Sequence, residues 1–259
     1  MYRALLVTPI PPHETGLATY ALRILDNTLD ICEWTVAYPE GGDPDCLPEG
    51  VIGIPLGDLM NLPEEDIPKR RIFQLGNSIH CFPIVRALYR LHGVTIFHET
   101  VLHHMLRYCY HEEDMLDEYR RELRFSYGPG ASGGEDLLSQ NSGNEYEYDL
   151  KLKKYPLIGR AVHASDYIVT LNEYAAERLI TPDSTREVLI IGHPLSSIET
   201  ITEPEKPFEI CIGMAGGYNP GRNLDAFLEA VGIIHQARPE VGAVLIGGGY
   251  PNNTPEWVI

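Results

Sequence analysis

Short, continuous apolar runs alternate along the chain with longer stretches whose apolar residues return every three or four positions, the signatures of buried strands and amphipathic helices. Ala4 to Thr8 reads as a strand, and Pro9-Ile10-Pro11-Pro12 then holds an extended loop that ends near Thr15-Gly16. Leu17, Tyr20, Ala21, Ile24 and Leu25 share one face of a helix running to Asp30, with Thr15 placed to cap its first turn. Cys32 to Tyr38 is the second strand, and Val51 to Ile54 is a short one among the glycine and proline loops that reach Pro68. Arg71 to Leu75 is a strand stopped by Gly76-Asn77, Ser78 to His92 a helix ended by Gly93, and Val94 to Phe97 the next buried strand. Helical spacing resumes after His104 and runs through Met115 and Leu123. Residues 128–144, rich in Gly and Ser, suit a loop at the mouth of a cleft. Pro156 to His163 reads as helix, Tyr167 to Leu171 as strand, Glu173 to Ile180 as helix and Val188 to Ile191 as strand. This alternation predicts an α/β chain built on a doubly wound parallel sheet. Residues 1–195 form its first lobe and 196–207 a linker. Residues 208–259 begin a second α/β unit, with a strand from Phe208 to Met214, a helix from Asn223 to Gln236 and a strand from Ala243 to Ile246.

The densest polar chemistry follows the strand ending at Phe97. His98-Glu99-Thr100 and then Leu102-His103-His104 are delivered to the carboxyl edge of the sheet, where open α/β proteins bind ligands. A zinc protease needs its second His four residues after the first, on the same helix face, and Leu102 holds that position. His98 is therefore a ligand-facing residue or a structural link between strand and helix.

Composition narrows the function. A formal net charge of -17 repels nucleic acid and anionic lipid. The five cysteines, Cys32, Cys46, Cys81, Cys109 and Cys211, are scattered without metal or redox spacing and read as reduced packing residues. The apolar run at the N-terminus is too short for a signal peptide, and no segment approaches the roughly 20 apolar residues of a membrane span. These features predict a cytoplasmic protein, peripheral to a membrane only through a lipid-linked substrate.

With these residues placed, the chain resembles the retaining family 4 glycosyltransferases, whose two Rossmann-like lobes form the GT-B architecture. The likeness rests on Gln74-Leu75-Gly76-Asn77, His98-Glu99, Leu102-His103-His104, the stretches 119–123 and 125–128, Ala164-Ser165-Asp166-Tyr167-Ile168-Val169 and Asn172-Glu173-Tyr174-Ala175. It implies a Rossmann-like acceptor-side lobe followed by an incomplete nucleotide-sugar lobe, completed by further chain or by a second chain. It also implies transfer of a sugar from a nucleotide diphosphate donor to a glycan, lipid-linked or small-molecule acceptor hydroxyl, with retention, no metal and no other cofactor. His98 would face the donor sugar, and Glu99 would orient the acceptor or cap a helix. Thr15, Gly16, Gly216, Gly217 and Arg222 would serve the donor diphosphate, and His103, Asn172 and Glu173 the acceptor or the residues behind it. Arg222 stands where the family has Lys, whereas Gly217 stands where it has Arg. That departure leaves a non-catalytic binding lobe as the alternative, with a sugar-nucleotide epimerase of the same architecture behind it. The glycines speak against a nicotinamide enzyme, since Gly213-Met214-Ala215-Gly216-Gly217 lacks the Gly-x-Gly that lets a pyrophosphate approach and the first strand ends in Pro9.

Overall fold

The computed structural model describes residues 1–129, 131, 153–180, 187–194, 206–216, 223–247 and 258. Most of the expected loop at 128–144 and linker at 196–207 lies outside them, as do Gly217 and Arg222. The chain divides into two compact units, Met1–Ser196 and Ser197–Ile259.

The first unit is a seven-stranded sheet in the order β3-β2-β1-β4-β5-β6-β7. Its strands are β1 (Tyr2–Val7), β2 (Cys32–Tyr38), β3 (Ile52–Pro55), β4 (Arg71–Leu75), β5 (Gly93–Phe97), β6 (Ser165–Thr170) and β7 (Val188–Ile190), and every neighbouring pair is parallel. This is the doubly wound, Rossmann-like α/β lobe that the sequence predicts. The order reverses between β1 and β4, which opens a crevice at their carboxyl ends. Parallel strands are buried on both faces, so the runs are nearly all apolar: Leu5, Val7, Phe73, Leu75 and Phe97 face one core, Leu6, Val36 and Ile96 the other.

Helix α1 (Gly16–Asp26) stops four residues before its expected end. Asn27 Nδ2 donates to the Arg23 carbonyl and Thr28 Oγ1 to the Ile24 carbonyl, so side chains take the acceptors of the last turn. The expected helix at 78–92 splits for a different reason. Ile79–Cys81 is a 3-10 turn, and α3 (Phe82–Leu91) starts where Pro83, having no N–H to leave unpaired, fits a first turn. Gly93 opens β5 at φ 154°, and a Cβ there would lie 2.6 Å from the Arg71 carbonyl oxygen, which only glycine avoids. A short helix, α2 (Leu56–Asn61), replaces the loop expected there and buries Leu56 and Leu59. The single helix expected through Met115 is two, α4 (His103–Glu112) and α5 (Leu116–Tyr127), broken at Asp114 with φ 54°. Pro156 to Ile158 is irregular, with Leu157 at φ 55°, and α6 covers only Gly159–Ala164. Helix α7 (Glu173–Leu179) follows β6.

One buried carboxylate ties the helical layer together. Glu122 of α5 is fully buried; it accepts from Tyr89 of α3 at 3.2 Å, from Tyr110 of α4 at 3.1 Å and from Arg160 of α6 at 2.9 Å. The Arg160 guanidinium also lies over the Tyr89 ring, 4.1 Å from its centre. Burial pushes the Glu122 carboxyl up, while Arg160 and the two phenols pull it back.

The second unit has β8 (Ile210–Ala215) and β9 (Val241–Ile246) paired in parallel, with α8 (Leu224–Ala237) between them. Val231, Ala243 and Val258 form its small core.

Replacing Glu122 by Ala strands one guanidinium and two phenols. We expect Glu122→Ala to cost about 3 kcal/mol in urea unfolding, the low end for a broken buried pair because Arg160 reaches solvent.

Candidate functional site

At the carboxyl edge of the first unit, β4, β5 and β6 end beside a cavity of about 400 Å³ whose walls include Asn77, His98, Glu99, His104, Lys153 and Asn172. Each reaches it by a definable local device. His98 is the first residue past β5, and its N–H still donates to the Leu75 carbonyl at 2.8 Å, extending the sheet by one step. Its ring is half-buried, stands edge-on to Tyr20 of α1 with centres 4.5 Å apart, and places Nε2 2.9 Å from Oε1 of Gln74. Burial, with a smaller contribution from His193, lowers its pKa to about 4. At neutral pH the ring is a neutral dipole.

Asn77, in the turn after β4, crosslinks the site. Its Oδ1 accepts from the Met105 N–H at 3.0 Å and its Nδ2 lies 3.2 Å from Nδ1 of His104. Helix α4 has no capping side chain of its own, so this amide satisfies a first-turn donor from outside the helix. Glu99 also lines the cavity. The residue is partly open to solvent, but loss of hydration at its carboxyl raises the pKa while a hydrogen bond with the Asn77 backbone pulls it down. Glu99 does not cap α4.

His103 lies behind the wall, fully buried and absent from the cavity lining. Its Nδ1 faces the Tyr155 carbonyl, which can only accept, so Nδ1 carries the proton and Nε2 accepts from the Tyr119 hydroxyl at 2.5 Å. Both nitrogens are used, and the ring anchors α4 instead of meeting a ligand. Asn172 does two things: it lines the cavity and it caps α7, accepting from the Ala175 N–H at 2.8 Å. Glu173 is exposed in the first turn of α7, where its charge favours the helix dipole, and does not line the cavity.

Thr15 and Gly16 sit at the β1 end of the same edge. Thr15 caps α1 through Oγ1, which accepts from the Leu17 N–H at 3.0 Å. A Cβ on Gly16 would meet nothing within 4 Å, so the space beside the first residue of α1 is open. In the second unit Gly216 closes β8 at φ 118° and donates its N–H to the Ile246 carbonyl at 2.7 Å. That donor is committed to the sheet, and Gly217 and Arg222 fall outside the described residues.

Several residues here escape sequence reasoning. Lys153 follows a stretch without periodicity, and nothing in the pattern points to it. His13 and His80 stack with ring centres 3.9 Å apart, joining the β1–α1 loop to the β4–α3 connection across the crevice. Burial and the neighbouring His13 lower the His80 pKa. Gln74 did carry a signal, as an uncharged polar residue inside an apolar strand. Among the described residues no group of three or more His, Cys, Asp or Glu could hold a metal ion, and no helix is long and apolar enough to cross a membrane.

No protein-family profile and no curated protein matches the chain. Among solved structures it is similar to the glycotransferase of kitacinnamycin, with 15% identity and a TM-score of 0.50, over 99% of this chain and 70% of that one. Weaker likenesses run to LpCGTa in complex with UDP (12% identity, TM-score 0.43, 97% and 71% covered) and to a putative UDP-N-acetylglucosamine 2-epimerase from Listeria monocytogenes (12%, 0.45, 94% and 61%). At such identities the likeness is one of fold. The shared fold is a Rossmann-like α/β lobe on a parallel sheet.

The buried histidine generates a pH test. A folded-state pKa near 4 lies below the free value of 6.5, so His103 leaves stability intact above pH 6.5 and withdraws it as pH falls towards 4. The loss amounts to about 3 kcal/mol. Urea unfolding at pH 7 and pH 4.5 should show His103→Gln losing less stability on acidification than the wild type.

Proposed function

We propose that the chain transfers a sugar from a nucleotide diphosphate donor to an acceptor hydroxyl, as a retaining glycosyltransferase similar to family 4. The observation that carries this reading is the placement of His98, a neutral imidazole half-buried at the end of β5, in the wall of a cavity at the edge where such sheets bind ligands. The shared fold with a glycotransferase supports it.

The chemistry must stabilise a departing diphosphate and an electron-poor sugar while excluding water. In this reading His98 hydrogen-bonds a hydroxyl of the donor sugar, and Glu99 and Asn172 orient the acceptor across the cavity. The start of α1 at Thr15 and Gly16 brings backbone N–H groups towards the diphosphate. Arg222, which the family resemblance assigns to the donor diphosphate together with Gly216 and Gly217, carries a planar guanidinium suited to such an anion. The reaction then needs no resident metal, because guanidinium and backbone dipoles carry the leaving-group charge. The acceptor is a glycan, a lipid-linked sugar or a small molecule, and the enzyme works in the cytoplasm.

One feature favours a second reading. Gly217 replaces the arginine expected in the phosphate turn, which removes one of two cations and suits a lobe that binds a partner or an acceptor, not the nucleotide, and does not catalyse. Calorimetric titration with nucleoside diphosphates separates the two, since a competent donor site releases heat on binding.

Turnover assays with nucleoside diphosphate sugars of each common base test the first reading. We expect His98→Ala to lower kcat roughly 100-fold, the scale for losing one well-aimed polar group, with donor binding little changed. Unchanged turnover removes His98 from the mechanism.

A further inference from the structure

Gln74 is out of place by the ordinary rules of strand composition. It lies in β4 with no solvent exposure, on the sheet face that also carries Ile72 and Ile96, where an aliphatic side chain would pack without penalty. Its Nε2 is buried with no hydrogen-bond partner. An unpaired amide donor in the core is a standing cost, and such costs gather where the group serves the site rather than the fold. The other end of the amide shows that service, for Oε1 lies 2.9 Å from Nε2 of His98.

An amide oxygen only accepts. A neutral imidazole carries one proton, and facing that oxygen the proton resides on Nε2. Nδ1 is then a lone-pair acceptor, and it has no hydrogen-bond partner among the described residues. Tyr20, edge-on to the ring with an interplanar angle of 87°, helps to fix its plane. We propose that Gln74 is a positioning residue that holds His98 in the Nε2–H tautomer, so that Nδ1 offers the cavity a bare acceptor and the site takes a hydroxyl donor rather than an anion. Assigning that hydroxyl to a sugar rests on the function proposed above; the tautomer does not. Turning the amide over would move the proton to Nδ1 and make the same ring a donor, so ring orientation and cavity stay fixed while the chemistry inverts.

Nitrogen NMR of ¹⁵N-histidine protein reads this directly, with His98 assigned by the signal lost in His98→Gln. The wild type should show one tautomer, protonated at Nε2 and bare at Nδ1. In Gln74→Leu the ring nitrogens should shift towards a tautomer average, while the thermal midpoint holds or rises because the orphan donor is gone. Gln74→Glu keeps the shape and the acceptor, and should retain Nε2–H and raise the titration midpoint of His98 by about one unit or more. A wild-type ring protonated at Nδ1, or a His98 spectrum unmoved by Gln74→Leu, overturns the proposal. Should the Leu variant fail to fold, the Glu variant decides alone, and an unmoved midpoint is then the contrary result. These measurements use no substrate, so they can fail while sugar transfer stands, and succeed if transfer is refuted by the turnover assay.

Discussion

Parallel strands must all end on the same edge, and from that constraint the whole candidate site follows. A parallel pair cannot be closed by a hairpin, so each strand is followed by a crossover, and residues far apart in sequence meet wherever the strands stop. Asn77, His98 and Asn172 are brought together because each lies just past the end of β4, β5 or β6. Thr15 and Gly16 open the helix that returns from β1, on the other side of the point where strand order reverses. The Asn77 amide then locks one loop to the next by capping α4.

Buried polar groups in this lobe fall into two kinds, and the difference separates fold from function. Glu122 and His103 are satisfied on every side, one gathering three helices around a carboxylate and the other pinning α4 to Tyr119 and Tyr155. Groups so completely paired have nothing left to offer a ligand. Gln74 and His98 differ, since Gln74 keeps an unpaired donor and His98, which lines the cavity, an unpaired acceptor. A satisfied network stabilises and specifies the fold, whereas a pair left half-satisfied at a cavity wall is poised for a third partner.

The strands were legible because a sheet buried on both faces leaves little room for polar residues, and the boundaries of β2 and β4 match the apolar runs at Cys32 to Tyr38 and Arg71 to Leu75. Thr15 was legible as a cap, and His98 as the polar residue after β5. The breaks inside helices were not. Leu157 adopts a positive φ that its residue type does not announce, Asp114 one that aspartate reaches only occasionally, and α2 is too short to show a period. The site was only half legible: periodicity reports which face is buried but not which side chains meet across strands. The pairing of Gln74 with His98, and the stacking of His13 on His80, depend on register and loop course, which emerge only once the sheet is assembled.

In the proposed function, the cavity beside His98 receives the sugar of a nucleotide diphosphate donor. Histidine side-chain NMR during titration with nucleoside diphosphate hexoses probes that placement, because the rings near and far from the cavity report separately. The resonances of His98 and His104 should move while those of His103, sealed behind the wall, and His163, against Phe125, stay in place. Movement confined to His163 or His235, or no movement with any base, contradicts it.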